Sequence, residues 1–264
     1  MHAERQNRFT LIELLIVVAI IAILIAILLP ALVAAKNKAK HLLCFNNLKQ
    51  MHTTIMLYAH DNDRYMMHAN WGSHEQGQYA QIPGPPPHDF FNFPGWLYYQ
   101  YGRNNPWDWT PEDVKTGAMW QYLKDDRIYH CPMHEGWDED TKSTRALTSY
   151  LMNGVVNDWD YAENQPLEDR RLFRISRMRP DGFLLVEQAE NNNHWHWFTN
   201  WSDGSNFPGE LVTNWGQRHD YRAAALSFDG SVELVFQAEA AFEAQQYPGR
   251  FNCSPARADG APAP

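Results

Sequence analysis

The chain has 264 residues and a formal net charge of −9 at pH 7. That acidic balance argues against nucleic acid or an anionic membrane surface as a partner, because both select for clustered Lys and Arg. Less an apolar N-terminal stretch, about 200 residues remain, enough for one domain with a real core.

The N-terminal stretch is Arg8-Phe9-Thr10-Leu11-Ile12-Glu13-Leu14-Leu15 and the run that follows it to Leu29. From Leu14 to Leu29 no residue is polar. A helix of about 20 residues crosses a ~30 Å hydrocarbon core, so the run is long enough to span a bilayer. Glu13 is the odd feature, since burying an unpaired carboxylate there costs on the order of 3 kcal/mol. Arg5 and Arg8 precede the run and Lys36, Lys38 and Lys40 follow it. A bare count of these charges slightly favours a cytoplasmic C-terminal side. Val33-Ala34-Ala35 also resembles a signal-peptidase site, which would make residues 1–35 a removed secretory signal.

A short basic leader, then Phe9-Thr10-Leu11-Ile12-Glu13-Leu14, then an apolar helix resembles the N-terminus of type IV prepilins and type II secretion pseudopilins. The resemblance implies a leader over residues 1–8, cut by a prepilin peptidase between Arg8 and Phe9. Residues 9–30 become a transmembrane and assembly helix. Glu13 falls fifth after the cut and pairs with the N-terminal amine of a neighbouring like subunit. Pro30 stands where many members carry a helix-kinking proline. The N-terminus is then cytoplasmic, the anchor sits in the inner membrane, and the C-terminal domain is periplasmic or extracellular, against the bare charge count. Arg8 departs from the pattern, because the peptidase usually needs Gly there. An uncut leader would deny Phe9 its free amine.

Past Pro30 the helical pattern continues over residues 31–65. Leu32, Ala35, Ala39, Leu42, Phe45, Leu48, Met51, Ile55 and Tyr58 recur at steps of three or four and form one apolar stripe. A helix from Phe9 to about Ala59 would run roughly 75 Å. The segment Cys44-Phe45-Asn46-Asn47-Leu48-Lys49-Gln50, with Tyr58 and Asp61-Asn62-Asp63, is similar to the signature of a planctomycete-type pilin-like family. Members of that family end their domain in an H-x9-DG motif.

Residues 66–252 form the expected globular domain. Within it, residues 69–116 read as an irregular insertion broken by Pro83-Gly84-Pro85-Pro86-Pro87 and rich in Trp and Tyr, where Trp96–Tyr101 suits a short helix or strand. Met119–Leu123 reads as a short helix. Arg127-Ile128-Tyr129-His130-Cys131-Pro132 and Ser149-Tyr150-Leu151-Met152-Asn153 resemble two further elements of the same family. Phe183–Glu187 is a short apolar strand. Ala223–Phe228 and Ser231–Phe236 flank Asp229-Gly230 as a hairpin. Residues 253–264 read as a disordered tail. The fold class expected is α+β and pilin-like, a long N-terminal helix packed on a small antiparallel sheet.

His219 and Asp229-Gly230 match H-x9-DG. The physical reading makes them structural, Gly230 serving a positive-φ turn and His219 anchoring the loop before it; a metal or catalytic His219/Asp229 pair is the alternative. Asp61-Asn62-Asp63 reads as a helix exit rather than a calcium site, which needs six to eight oxygens. His194 and His196 would share one strand face, and His130, Cys131 and His134 lack a fourth ligand at a telling spacing. The chain shows no P-loop, Rossmann fingerprint or nucleophile elbow, so no catalytic residue, metal or cofactor is assigned. Cys44 and Cys131 lie in two family-like elements and are the preferred disulfide pair, with free thiols or a bridge to Cys253 as alternatives. The function these readings imply is a pilin-like or pseudopilin-like structural subunit. The alternatives are a non-polymerising membrane-anchored module that binds glycan or protein through Trp/Tyr loops, and a metallohydrolase built on His194, His196 and His219.

Overall fold

The structure is a computed structural model, and it describes residues 10–67, 69–70, 95–98, 111–134, 147–157, 173–188, 205–206, 215–246 and 249–253. The chain divides into two compact units, residues 1–42 and 43–264. One helix, α1 (Leu11–Asp61), contributes to both, and it continues through Pro30. All seven of its buried residues, among them Cys44, Leu48, Met51 and Ile55, lie from Cys44 onward. Leu48, Met51 and Ile55 of the expected apolar stripe are buried and Phe45 and Tyr58 partly so, whereas Leu32 and Leu42 are exposed and Cys44, Asn47, Thr54 and Ala59 complete the buried face. The helix ends where Asp63 and Arg64 adopt positive φ, and Asn62 Nδ2 donates to the Tyr58 carbonyl at 2.8 Å.

In the unit 43–264 a five-stranded sheet carries the core, comprising β1 (Tyr150–Asn153), β2 (Phe183–Glu187), β3 (Ser205–Asn206), β4 (Arg222–Ser227) and β5 (Val232–Phe236). The strand order is β3-β1-β2-β4-β5. Pairing is antiparallel except for the two-residue parallel pairing of β3 with β1. The α+β class is as expected. Tyr150, Met152, Ala224 and Leu226 pack in one core cluster with the second half of α1. Leu151, Phe183, Val186, Ala223 and Ala225 pack in another with Trp215, Phe251 and α3 (Gln237–Glu243), α2 being the short helix Trp120–Leu123. Alternate residues of β1 and β4 thus serve opposite faces, as the pleat requires.

β2 breaks that alternation, and the break matters. Its register against β4 shifts between Phe183 and Leu185, so Leu184 and Leu185 both enter the α1-side cluster. An extra residue in one strand reverses the phase of everything beyond it. Phe183 and Glu187 would share a face in a regular strand. With the shift, Phe183 packs against Phe251 and Trp215 while Glu187 pairs with Tyr150 on the α1 side.

The β4–β5 hairpin closes through the turn expected at Asp229-Gly230. Ser227 and Ser231 frame it, Ser231 N–H donates to Asp229 Oδ1 at 2.8 Å, and Gly230 has φ +84°. This is the three-residue hairpin loop with a left-handed last residue, which favours Gly. Helix α1 packs under it: His52 Nε2 lies 3.0 Å from the Phe228 carbonyl and Lys49 Nζ donates to the Gly230 carbonyl. Elsewhere the described residues depart from or add to expectation in four places. Gly95–Tyr98 is neither helix nor strand, although Trp96, Leu97 and Tyr98 are fully buried. Residues 126–129 form a turn of 3-10 helix. Helix α3 was not foreseen. Cys253, the first residue of the expected tail, is buried beside Gly182. Most of the aromatic insertion, with Tyr99 and Tyr101, lies outside the described residues.

A Cβ at position 230 would stand 2.7 Å from His52 Cε1 in a backbone conformation that L residues avoid. Gly230→Ala should therefore destabilise the protein by about 1–3 kcal/mol, read as a lowered denaturant midpoint at unchanged m.

Candidate functional site

Two features carry chemistry, and each belongs to one unit. In the first, α1 opens with a reciprocal cap. Thr10 N–H and Thr10 Oγ1 donate to Glu13 Oε2 at 2.8 and 2.9 Å, and Glu13 N–H donates back to Thr10 Oγ1 at 3.2 Å. This Thr-x-x-Glu box satisfies amides that a helix start leaves unpartnered. Glu13 is therefore also a capping residue, a role legible in the spacing of Thr10 and Glu13. Beyond it the apolar side chains point outward on every side, from Leu11 (87% exposed) to Leu29 (58%). Among the described residues this helix is long and apolar enough to cross a membrane. Arg8 and Phe9 lie outside the described residues.

In the second unit, four elements converge on one buried cluster. Helix α1 supplies Cys44, the loop after residues 126–129 supplies Cys131, β2 supplies Glu187, and the turn before β4 supplies His219. One ligand-type atom from each lies within 4.8 Å of all the others. His219 Nε2 is 3.1 Å from Glu187 Oε2 and 3.5 Å from Cys131 Sγ, and Cys44 Sγ is 3.3 Å from Tyr150 Oη. The cluster has a fixed surround. Ala224 N–H donates to Glu187 Oε2 at 3.1 Å, and Arg218 Nη1 lies 3.2 Å from Glu187 Oε1. Ser149 Oγ accepts from Cys131 N–H at 2.9 Å and stands 2.9 Å from His134 Nδ1.

The turn that delivers His219 is strained. His219 and Arg222 exchange both backbone hydrogen bonds across Asp220 and Tyr221, which have φ of 54° and 64°. Two consecutive positive-φ residues mark a type I′ hairpin turn, usually filled by Asn-Gly. Here Asp-Tyr occupies it, at a cost of roughly 1–2 kcal/mol per non-glycine residue.

Burial opposes every charge in the cluster. It would raise the Glu187 pKa, but the hydrogen bond from His219 and the Arg218 guanidinium pull it below its ordinary value. Burial would likewise lower His219, yet Cys131 and Glu187 hold the imidazole up at about 9. Cys131 is pushed up by the neighbouring Cys44 sulfur and then by burial, and Tyr150 rises mainly by burial. Burial also lowers His134 to about 3, keeping that ring neutral. In this state the Cys131 thiol is protonated and the charge resides on the Arg218–Glu187–His219 chain.

The family-like motifs surround this cluster. Asn47 Nδ2 donates to the His130 carbonyl at 2.9 Å and so ties α1 to the Cys131 loop. Leu48 is core, Lys49 holds the Gly230 turn, and Gln50 is only partly buried. His219 and Asp229 part company: His219 enters the cluster, whereas the Asp229 carboxylate caps its own turn at Ser231. The structure gives Cys44, Cys131 and Cys253 as free thiols, and the preferred disulfide pair meets as two sulfurs of one cluster. His194 and His196 lie outside the described residues. Sequence spacing passed over Glu187 and Arg218; the one signal was a carboxylate closing an otherwise apolar strand, Phe-Leu-Leu-Val-Glu. Comparison with family models, curated proteins and solved structures matches the chain to none of them.

Two substitutions separate charge from strain. Glu187→Gln keeps the volume but removes the buried carboxylate charge that faces both Arg218 and His219, and should cost about 3–5 kcal/mol in equilibrium unfolding. Tyr221→Gly relieves the left-handed position and should stabilise by about 0.5–1 kcal/mol, net of the glycine entropy, in the same assay.

Proposed function

We propose that the chain is a pilin-like structural subunit, anchored in the inner membrane and assembling with like subunits through the first half of α1. The observation that carries this reading is the outward-facing apolar surface of that half, sixteen consecutive apolar residues from Leu14 to Leu29 with none buried. A helix apolar all round requires lipid or other helices to cover it. The N-terminal pattern supplies the rest of the argument. Glu13 stands where such subunits place the carboxylate that meets a neighbour's N-terminal amine, and its monomeric partner is the Thr10 cap. On this reading assembly exchanges a local cap for an intersubunit ion pair in a low-dielectric setting, where charge-assisted bonds are strongest. The domain beyond Cys44 is exported and forms the surface of a filament or secretion piston.

Arg8 favours a second reading, an anchored binding module that never polymerises. A leader retained behind Arg8 keeps Phe9 as an internal residue without an amine.

N-terminal sequencing of the native protein separates the two: Phe9 as the first residue is the outcome expected for a subunit, and Met1 would point to the anchored module. Glu13→Gln tests the role of the carboxylate charge. The amide still accepts from Thr10, so the helix cap persists while the charge is lost. Recovery of differently tagged copies in one crosslinked assembly should fall roughly tenfold or more, equivalent to about 1.4 kcal/mol. Undiminished recovery would count against assembly through Glu13.

A further inference from the structure

We propose that Cys44, Cys131, Glu187 and His219 hold a divalent d-block cation of the zinc class, as a closed structural centre that fastens α1 to the sheet. This goes beyond the assembly reading and does not depend on it.

The spacing of the ligand atoms is the first argument. Around zinc, with bonds of ~2.3 Å to sulfur and ~2.0 Å to nitrogen or oxygen, tetrahedral ligands stand roughly 3.3–3.8 Å apart. His219 Nε2 lies 3.5 Å from Cys131 Sγ and 3.1 Å from Glu187 Oε2, and all four ligand atoms fall within 4.8 Å of one another. Small side-chain adjustments would centre a cation among them. The donor set is the second argument. Two sulfurs, one imidazole nitrogen and one carboxylate oxygen suit a borderline-soft tetrahedral ion and disfavour calcium or magnesium, which want oxygen.

Closure and charge point the same way. All four residues are buried, so no position is open to substrate, as in structural rather than catalytic centres. Loading displaces the protons of both thiols and leaves His219 neutral. Two thiolates and Glu187 then stand against the dication and the Arg218 guanidinium beside it. The outer contacts are already in place. Arg218 fixes Glu187 Oε1 and leaves Oε2 toward the cluster, and Ser149 orients the Cys131 backbone. Such outer partners set ligand direction in metal centres. Finally, the positive-φ pair Asp220-Tyr221 is spent on turning His219 inward. Backbone strain of this kind is retained where a side chain must be held in a fixed direction.

The test uses the full chain purified in detergent without added chelator. Elemental analysis should find about one zinc per chain, since a closed site of this kind binds tightly at neutral pH. Cys44→Ser and Cys131→Ser together should lower that to below about a tenth, while Cys253→Ser, outside the cluster, leaves it unchanged. His219→Cys, which supplies another thiolate, should retain zinc where His219→Ala loses it. Should the thiol variants fail to fold, the wild-type chain reloaded with cobalt(II) decides the matter. Thiolate-to-cobalt charge transfer with intense tetrahedral d–d bands is the expected spectrum. The proposal is overturned by a folded, zinc-free protein whose melting does not respond to zinc, by zinc that persists in the double cysteine variant, by a cobalt spectrum without thiolate bands, or by a Cys44–Cys131 disulfide in the native protein.

Discussion

The fold depends on keeping one carboxylate, Glu187, wholly out of water. Removing a carboxylate from solvent costs several kcal/mol, and only charges and donors in good geometry offset it. Each offset here comes from a different part of the chain. Arg218 and His219 arrive through one strained turn, the Ala224 amide arrives through β4, and the register shift in β2 sets the face on which Glu187 lies. Without that shift the carboxylate would enter the aromatic cluster of Phe183, Trp215 and Phe251. The bulge, the turn and the buried arginine are therefore one arrangement rather than three irregularities.

A second set of contacts makes α1 part of that arrangement. Asn47 reaches the His130 carbonyl, Lys49 and His52 reach the Gly230 turn, and Cys44 reaches Tyr150. Asn153 performs the equivalent task on the far side, donating to the carbonyls of Phe183 and Phe251 at 2.9 and 3.0 Å. Side-chain amides that satisfy buried carbonyls are worth more than their bond energy suggests, because the alternative is an orphaned acceptor. These residues account for much of what the family-like motifs have in common: they are fasteners between helix, loop and sheet.

What was legible in the sequence follows from periodicity and local turn chemistry. The steps of three and four beyond Pro30 marked the helix and, in Leu48, Met51 and Ile55, the centre of its buried face, and Asp229-Gly230 marked the β4–β5 hairpin. Both signals are local, so a single sequence carries them. The bulge in β2 leaves no such mark, since Phe-Leu-Leu-Val-Glu reads the same with either phase. The turn at Asp220-Tyr221 also escaped notice, because it lacks the glycine by which type I′ turns are recognised. The cluster was hidden for a third reason. Its members are spread from residue 44 to residue 219, and only the tertiary fold makes them neighbours. Glu187 was nonetheless a usable clue, an ionisable residue closing an apolar strand.

The change in α1 at Cys44 ties these threads together. From that residue onward the helix has a partner in its own domain, and its apolar positions narrow to a stripe. Before it, Leu, Ile and Val surround the helix, and none of the described residues covers them. A globular protein that only needed a core helix would have no reason to extend it by the twenty-five residues Leu11–Ala35, apolar on all faces but for Glu13. On the assembly reading, cover comes from lipid, from like helices, or from both in turn. A helix that exchanges one for the other needs a domain whose attachment does not loosen as the environment of the first half changes. The buried fastening at Cys44, Asn47 and Lys49 meets that need, because every partner it uses lies within the domain itself.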